Sequence, residues 1–324
     1  MIKKISLQSV LSIAIERMHE FNLSKALALV GFALVSISQT HSVFAGPEPA
    51  AEMQTPPLSS ASNLTLGNFF SEGWNQPYSH RSDPDAAPDM ALLRVQTNFL
   101  EREFRFDFAS ERNIHGAAKK DVDTLDGLVA YSFNRRFMLE VVSSYEWDDY
   151  RVGNNMSGAG GAIVARLQLV DVPGSSYALT ARTSLPDTGV GDHETTVSFA
   201  LAGWQDLTQL GLSRTGLYFH VQEETYAGPG TAGEKRNDIT YAVSLAKTWT
   251  RPDMPIFGNF TTFVEGYGAT NLDGDEKGVT TITVTPGIRM TLGHGNVLIA
   301  GVDIPVSNPH PYGVIYRLTY IINF

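Results

Sequence analysis

Residues 280–292 read TTITVTPGIRMTL, in strict alternation: Ile282, Val284, Ile288, Met290 and Leu292 share one face, while Thr281, Thr283, Thr285, Gly287, Arg289 and Thr291 share the other. A period of two marks a strand whose faces meet different surroundings, here hydrocarbon on one side and water on the other. The split recurs with Leu217, Phe219 and Val221 against Tyr218, His220 and Gln222, and with Ile239, Tyr241, Val243 and Leu245 against Thr240, Ala242 and Ser244. It recurs again with Phe104, Phe106 and Phe108 against Glu103, Arg105 and Asp107. The chain ends on the same pattern: Tyr316, Leu318, Tyr320, Ile322 and Phe324 lie against Arg317, Thr319 and Asn323, with Ile315 and Ile321 as apolar exceptions on the polar face.

Twelve such segments can be placed, beginning near residues 97, 123, 136, 159, 176, 194, 215, 237, 258, 279, 295 and 312. An even number of antiparallel strands leaves both ends on one side, as a single-chain outer-membrane barrel requires. The connections alternate as well. FNRRF, VDVPGSS, LTQLGLSRT, TRPDMP and TLGHGN fall on the side expected to be periplasmic. The intervening set, such as DDYRVGNNMSGAG and AGPGTAGEKRND, is mostly longer and richer in Gly, Asp and Asn, with SNPHP the exception. Aromatic residues near strand ends, Phe133, Tyr177, Trp204 and Trp249 on one side and Trp147 and Tyr226 on the other, suit the girdles of a membrane barrel. A soluble lipocalin-like barrel or a β-sandwich would turn the apolar faces inward instead. The expected class is therefore all-β: a transmembrane antiparallel β-barrel of about 12 strands over residues 89–324.

Past the N-terminal region no stretch stays apolar for the roughly 20 residues that a spanning helix needs, which excludes a helical bundle. Cysteine is absent, so disulfides, thiol metal sites and thiol nucleophiles are excluded too. At the start, Lys25 precedes ALALVGFALVSI, and Val43 and Ala45 occupy the −3 and −1 positions of a cleavage site, the layout of a secretory signal peptide over residues 1–45. Initiation at Met18 would give a signal of more usual length. The net charge of −10 becomes more negative once that segment is removed, and an acidic chain argues against nucleic acid as a partner. Residues 46–88 are rich in Pro, Ala, Ser and Asp and read as a periplasmic linker. Within them LTLGNFFSEGW either rests on the rim or enters the lumen as a plug, the rim being favoured.

If the apolar faces meet lipid, the polar faces name the lumen and the path of a solute: Arg105, Asp107, Glu140, Arg166, Arg182, His220, Glu224, Glu265, Arg289, Asp303 and Arg317. A conduit whose selectivity is set by a few charges and an Arg–carboxylate ladder bracing a closed barrel both fit this set. Twelve strands make a barrel narrower than the 16–18-stranded porins, which favours selective passage over bulk diffusion. Outer-membrane phospholipases also use twelve strands, but their HxSNG-type stretch is missing, since His220 sits in YFHVQEE with no Ser two residues on. No enzyme is expected. The acidic NLDGDEKG lacks the spacing of an EF-hand and MSGAGGA lacks the Lys of a phosphate loop, so neither metal nor cofactor is expected. The segment left after cleavage is too short for an autotransporter passenger.

Residues 283–320, TVTPGIRMTLGHGNVLIAGVDIPVSNPHPYGVIYRLTY, resemble the outer-membrane transporter family associated with the meta-pathway of phenol degradation. The features that carry the resemblance are TPGIR, the short turn, GVDIPV and a last strand opening at a Tyr-Gly pair. It implies an outer-membrane location in a Gram-negative cell and passage of small aromatic or hydrophobic compounds, and it brings no site residues with it. The ending at Phe324 likewise resembles the C-terminal signal read by the barrel-assembly machinery. The expected partners are thus the lipid bilayer, a small solute and that machinery. The competing expectation is a structural or surface-receptor barrel that transports nothing.

Overall fold

Twelve strands pair with their sequence neighbours, and β1 closes on β12, in a computed structural model describing residues 62–79, 85–112, 120–150, 156–189, 195–227, 235–254, 256–292, 295–308 and 312–324. In chain order they are β1 (Arg102–Arg112), β2 (Lys120–Ser132), β3 (Phe137–Tyr150), β4 (Met156–Val172), β5 (Ser175–Gly189) and β6 (Thr195–Asp206). They continue with β7 (Thr215–Ala227), β8 (Asn237–Thr248), β9 (Ile256–Asn271), β10 (Thr280–Leu292), β11 (Asn296–Pro305) and β12 (Val314–Asn323). Residues 1–45, expected to be a signal peptide, and the expected linker up to residue 61 lie outside the described residues.

The alternation decides which face meets what. Phe104, Val129, Val141, Ile163, Phe199, Val221, Val243, Val264 and Ile282 are exposed on the outside, while the residues between them are largely covered. An exterior this apolar from β1 to β10 is the surface of a transmembrane barrel. At the seam, Glu103 pairs with Asn323 and Ser110 with Tyr316, and the terminal Phe324 donates its N–H to the Arg102 carbonyl at 3.1 Å. Its ring lies against Phe104, centroids 5.0 Å apart, and stays 55% exposed. The last residue thus finishes the outer surface of the seam.

The strand starts agree with the alternation to within three residues except at β1, which opens at Arg102, not near 97. Several strands run beyond the about 9–11 residues needed to cross a bilayer. β4 has 17 residues and β9 has 16. Much of what reads as long loop is therefore paired strand: Lys120–Asp123 face Tyr150–Trp147, and Asp148 pairs with Met156. On the opposite side Pro173 and Gly174, the latter at φ 79°, join β4 to β5 in two residues. These short turns, the start of β1 and the end of β12 share one end of the barrel, the near end.

Trp204 departs from its expected place. It is 7% exposed and points inward with Ala200 and Ala202, so it belongs to the interior and not to the girdle. Phe133 and Trp249, 52% and 61% exposed, remain on the outer surface. The inward exception Ile321 is explained by the same interior. It is 2% exposed and packs in one cluster with Val297, Ile299, Trp204, Tyr218 and Phe263 from the wall and Ala87, Met90, Ala91, Leu92 and Val95 from the segment before β1. The hydrophobic core of this barrel lies inside the lumen. Small inward residues, among them Ala178, Ala200, Ala202, Ala242 and Ala246, leave the room it occupies.

Candidate functional site

Residues 85–101 run into the lumen from the near end and back to β1. Their path is set by backbone groups that have no ladder of their own and must find partners on the wall. Ala87 donates to Asp206 Oδ1 at 3.3 Å, and Tyr218 donates its hydroxyl to the Pro88 carbonyl. At the apex, the backbone N–H groups of Leu93, Arg94 and Val95 converge on the two oxygens of Glu265, the shortest contact being Val95 to Oε1 at 2.8 Å. Gln96 donates to His220 Nδ1 at 3.0 Å, which requires that nitrogen to be the unprotonated one. On the return, Arg166 donates to the Phe99 carbonyl at 2.8 Å, and Gln168 and Ser176 both donate to the Asn98 carbonyl at 3.2 Å.

Charge holds the apex. Arg94 Nη2 lies 2.8 Å from Asp303 Oδ2, the same oxygen that Arg317 Nε reaches at 2.6 Å, while Thr285 donates to Oδ1 at 2.6 Å. Burial depresses the Arg94 guanidinium, and Asp303 together with Tyr312, Tyr267 and Glu265 more than offsets it, so the net shift is upward. Further back, Asp89 accepts from Asn98 Nδ2 at 3.0 Å through one oxygen while the other is buried without a partner. Burial pushes its carboxyl up to about 8. Burial also raises Glu101, against the pull of Arg166.

Beyond the apex the lumen opens into a chamber of about 520 Å³. Of the residues expected along a solute path, Arg105, Asp107, Glu140, Arg166, Arg182, His220 and Glu224 line it. Arg105 is committed to Asp107 at 2.8 Å, and Arg182 is exposed within the space. Glu265 and Asp303 hold the lumenal segment, and Arg317 pairs with Asp303. Arg289 is inward-facing on β10 near Tyr218, with Nε and Nη1 buried and unpartnered. Ten of the eleven residues thus divide between the chamber and the clamp on the lumenal segment, and Arg289 belongs to neither.

Sequence reading missed the other half of that clamp: Arg94, Gln96, Asn98 and Glu101. DMALLRVQTNFLERE carries no turn signal between the segment and β1, so the two merge into one apolar-rich run. The legible signal was on the wall, where Val297, Ile299 and Ile321 place apolar side chains on a face that should be wet.

Residues 62–79, which contain the LTLGNFFSEGW stretch, sit on the near rim. Leu64 bridges antiparallel to Asp171, and Arg136, fully buried, donates to the carbonyls of Glu72, Gln168, Leu169 and Thr65 at 2.9–3.2 Å. In NLDGDEKG, Asp273 caps the neighbouring connection by accepting the N–H groups of Arg236 and Asn237 at 2.7 and 3.0 Å. Among the described residues no group of three His, Asp or Glu is placed to hold a metal.

Fold and lumen together define a twelve-stranded transmembrane β-barrel with an internal plug. Among solved structures the chain is similar to an outer-membrane channel from Pseudomonas putida F1, at 13% identity and a TM-score of 0.47, over 76% of this chain and all of that one. It is also similar to the KdgM porin (15%, TM-score 0.40, 68% of this chain and 99% of that one). A third likeness is to the beta domain of the Bordetella autotransporter BrkA (11%, TM-score 0.43, 69% of this chain and all of that one). These are likenesses of general architecture. No family model and no curated protein matches the sequence.

Proposed function

We propose that this chain is an outer-membrane channel for small molecules in a Gram-negative cell, closed at rest by residues 85–101. The observation that carries the reading is the way the lumen is divided. A polar chamber occupies one part, and the rest is filled by a chain segment that is joined to the wall covalently only where it continues into β1 and is otherwise held by hydrogen bonds, an ion pair and apolar packing. A barrel built only to be rigid would gain more from side chains filling its interior than from a segment that can leave. The near end is then periplasmic, and the exposed Phe324 at the seam suits recognition of the last strand by the barrel-assembly machinery.

The family resemblance at residues 283–320 adds aromatic or other small hydrophobic solutes to this reading. The chamber adds a condition of its own, because Arg105, Asp107, Asp126, Glu140, Arg182 and Glu224 surround whatever enters it. A solute with an apolar body and one charged or strongly polar group meets both. The test is swelling of proteoliposomes that carry the full chain, in isosmotic arabinose and glycine. Swelling faster than in empty liposomes, and faster again with Glu265→Ala, is expected. Swelling at the empty-liposome rate for both proteins would return the barrel to the non-transporting reading.

A further inference from the structure

The wall of the chamber nearest β1 carries more carboxylate than its cations engage. Glu103 on β1 is 3% exposed and lines the chamber, and its Oε1 is buried with no hydrogen-bond partner among the described residues. Glu101, two residues earlier, is 6% exposed and meets Arg166 Nη1 at 3.4 Å, and Glu140 on β3 meets Arg166 Nη2 at 3.8 Å. Arg166 also spends Nη1 on the Phe99 carbonyl. Arg105, two residues further along β1, pairs with Asp107 and attracts Glu103 and Glu101 without an ion pair to either. Arg289 is close enough to feel Glu103 and Glu101 but forms no ion pair with either among the described residues. Glu101 and Glu140 therefore share the Arg166 guanidinium, while Glu103, the most buried of the three, lies in the field of Arg105, Arg166 and Arg289 with an ion pair to none of them among the described residues, and it has an oxygen with no donor there.

A buried acceptor without a donor is costly, and native structures rarely leave one except where something else comes to supply it. The missing partner has to bring positive charge and N–H groups, fit beside Arg166 without expelling it, and reach the spot through the chamber. An ammonium group does this: it is compact, and its three donors can be shared among Glu103, Glu101 and Glu140. An anion placed there would face the same carboxylates unshielded. We propose that the β1 wall is a binding site for the ammonium group of a small amine, and that amine-bearing solutes are the class this chamber selects. As a statement about transport it rests on the channel reading; as a statement about binding it does not.

The test is calorimetric titration of the full chain in detergent with n-butylammonium, with butyrate and 1-butanol as partners of similar size. Binding of n-butylammonium alone is expected, weakened about tenfold by Glu103→Gln, which keeps the shape and removes the charge. Glu140→Gln, at a less enclosed position, should weaken it in the same direction if Glu103→Gln does not fold. Equal binding of all three probes, no binding, or binding indifferent to both substitutions would overturn the site. Amine binding without solute flux in proteoliposomes would uphold it and remove the transport reading. Flux with no preference for amines would do the reverse.

Discussion

Arg94 at the apex of the lumenal segment and Asp303 on β11 meet at 2.8 Å, with the Asp303 carboxylate fully buried and shared with Arg317. This contact ties the segment to the wall where the chamber begins. Its removal leaves two guanidiniums facing each other without a carboxylate, a change that costs about 3–5 kcal/mol when one partner of a buried pair is lost. Asp303→Asn should therefore release the segment. The chain has no cysteine, so Met90→Cys, at a position 3% exposed, reports release without background. Maleimide labelling of Met90→Cys should quicken by at least about tenfold when Asp303→Asn is added. An unchanged rate would show that the ion pair does not hold the segment in place.

Glu265 acts by a different means. Its two oxygens receive three consecutive backbone N–H groups, and a glutamine can offer only one acceptor oxygen to them. Glu265→Gln preserves volume and should cost about 1–3 kcal/mol of docking, read with the same label. Glu265→Gln and Asp303→Asn act on the same few residues, so their effects should not add.

The docked segment should loosen as the medium becomes more alkaline. Asp89 has its carboxyl raised to about 8 by burial, with Asp171 and Glu101 adding to the rise and Asn98 and Ser176 opposing it. A carboxyl whose pKa is higher when docked holds a proton there that it loses when released, so docking weakens as pH rises from about 4 to about 8 and is level above that. Labelling of Met90→Cys, corrected for maleimide chemistry with a free thiol, should rise across this window. Asp89→Asn should make the profile shallower, with Glu101, also raised by burial, supplying what is left, and a profile identical in the two proteins would remove Asp89 as a source.

On the rim, Arg136 serves at least four carbonyls of residues 65–72 and 168–169 with one planar group that lysine cannot reproduce. Gly73 presses on it: at φ 89°, an added Cβ would lie 2.9 Å from Arg136 Cγ. Arg136→Lys and Gly73→Ala should each expose residues 62–79 to limited proteolysis, while the folded barrel keeps its gel mobility before heating. Loss of that mobility would mean that the rim contact supports the barrel itself.

The barrel was legible because its faces differ. Phe104, Phe106 and Phe108 against Glu103, Arg105 and Asp107 leave one register and one outside, and a slip of one residue would put charge into lipid. The lumenal segment was not legible, because irregular backbone has no period to detect. Its partners on the wall, Glu265, His220 and Asp303, look like any other inward polar residues until the donors opposite them are known. Trp204 misled for a related reason: an aromatic near a strand end fits a girdle or a core equally well, and only the presence of Met90 and Tyr218 inside the barrel decides between them.

The most direct test of the closed channel is single-channel recording of the full chain in a planar bilayer, beside the Glu265→Gln/Asp303→Asn variant. Rare, brief openings are expected of the wild-type chain, and frequent, larger and longer-lived steps of the variant. Traces that cannot be told apart, or a variant as silent as its parent, would contradict the account of residues 85–101 as the closure of a path through the barrel.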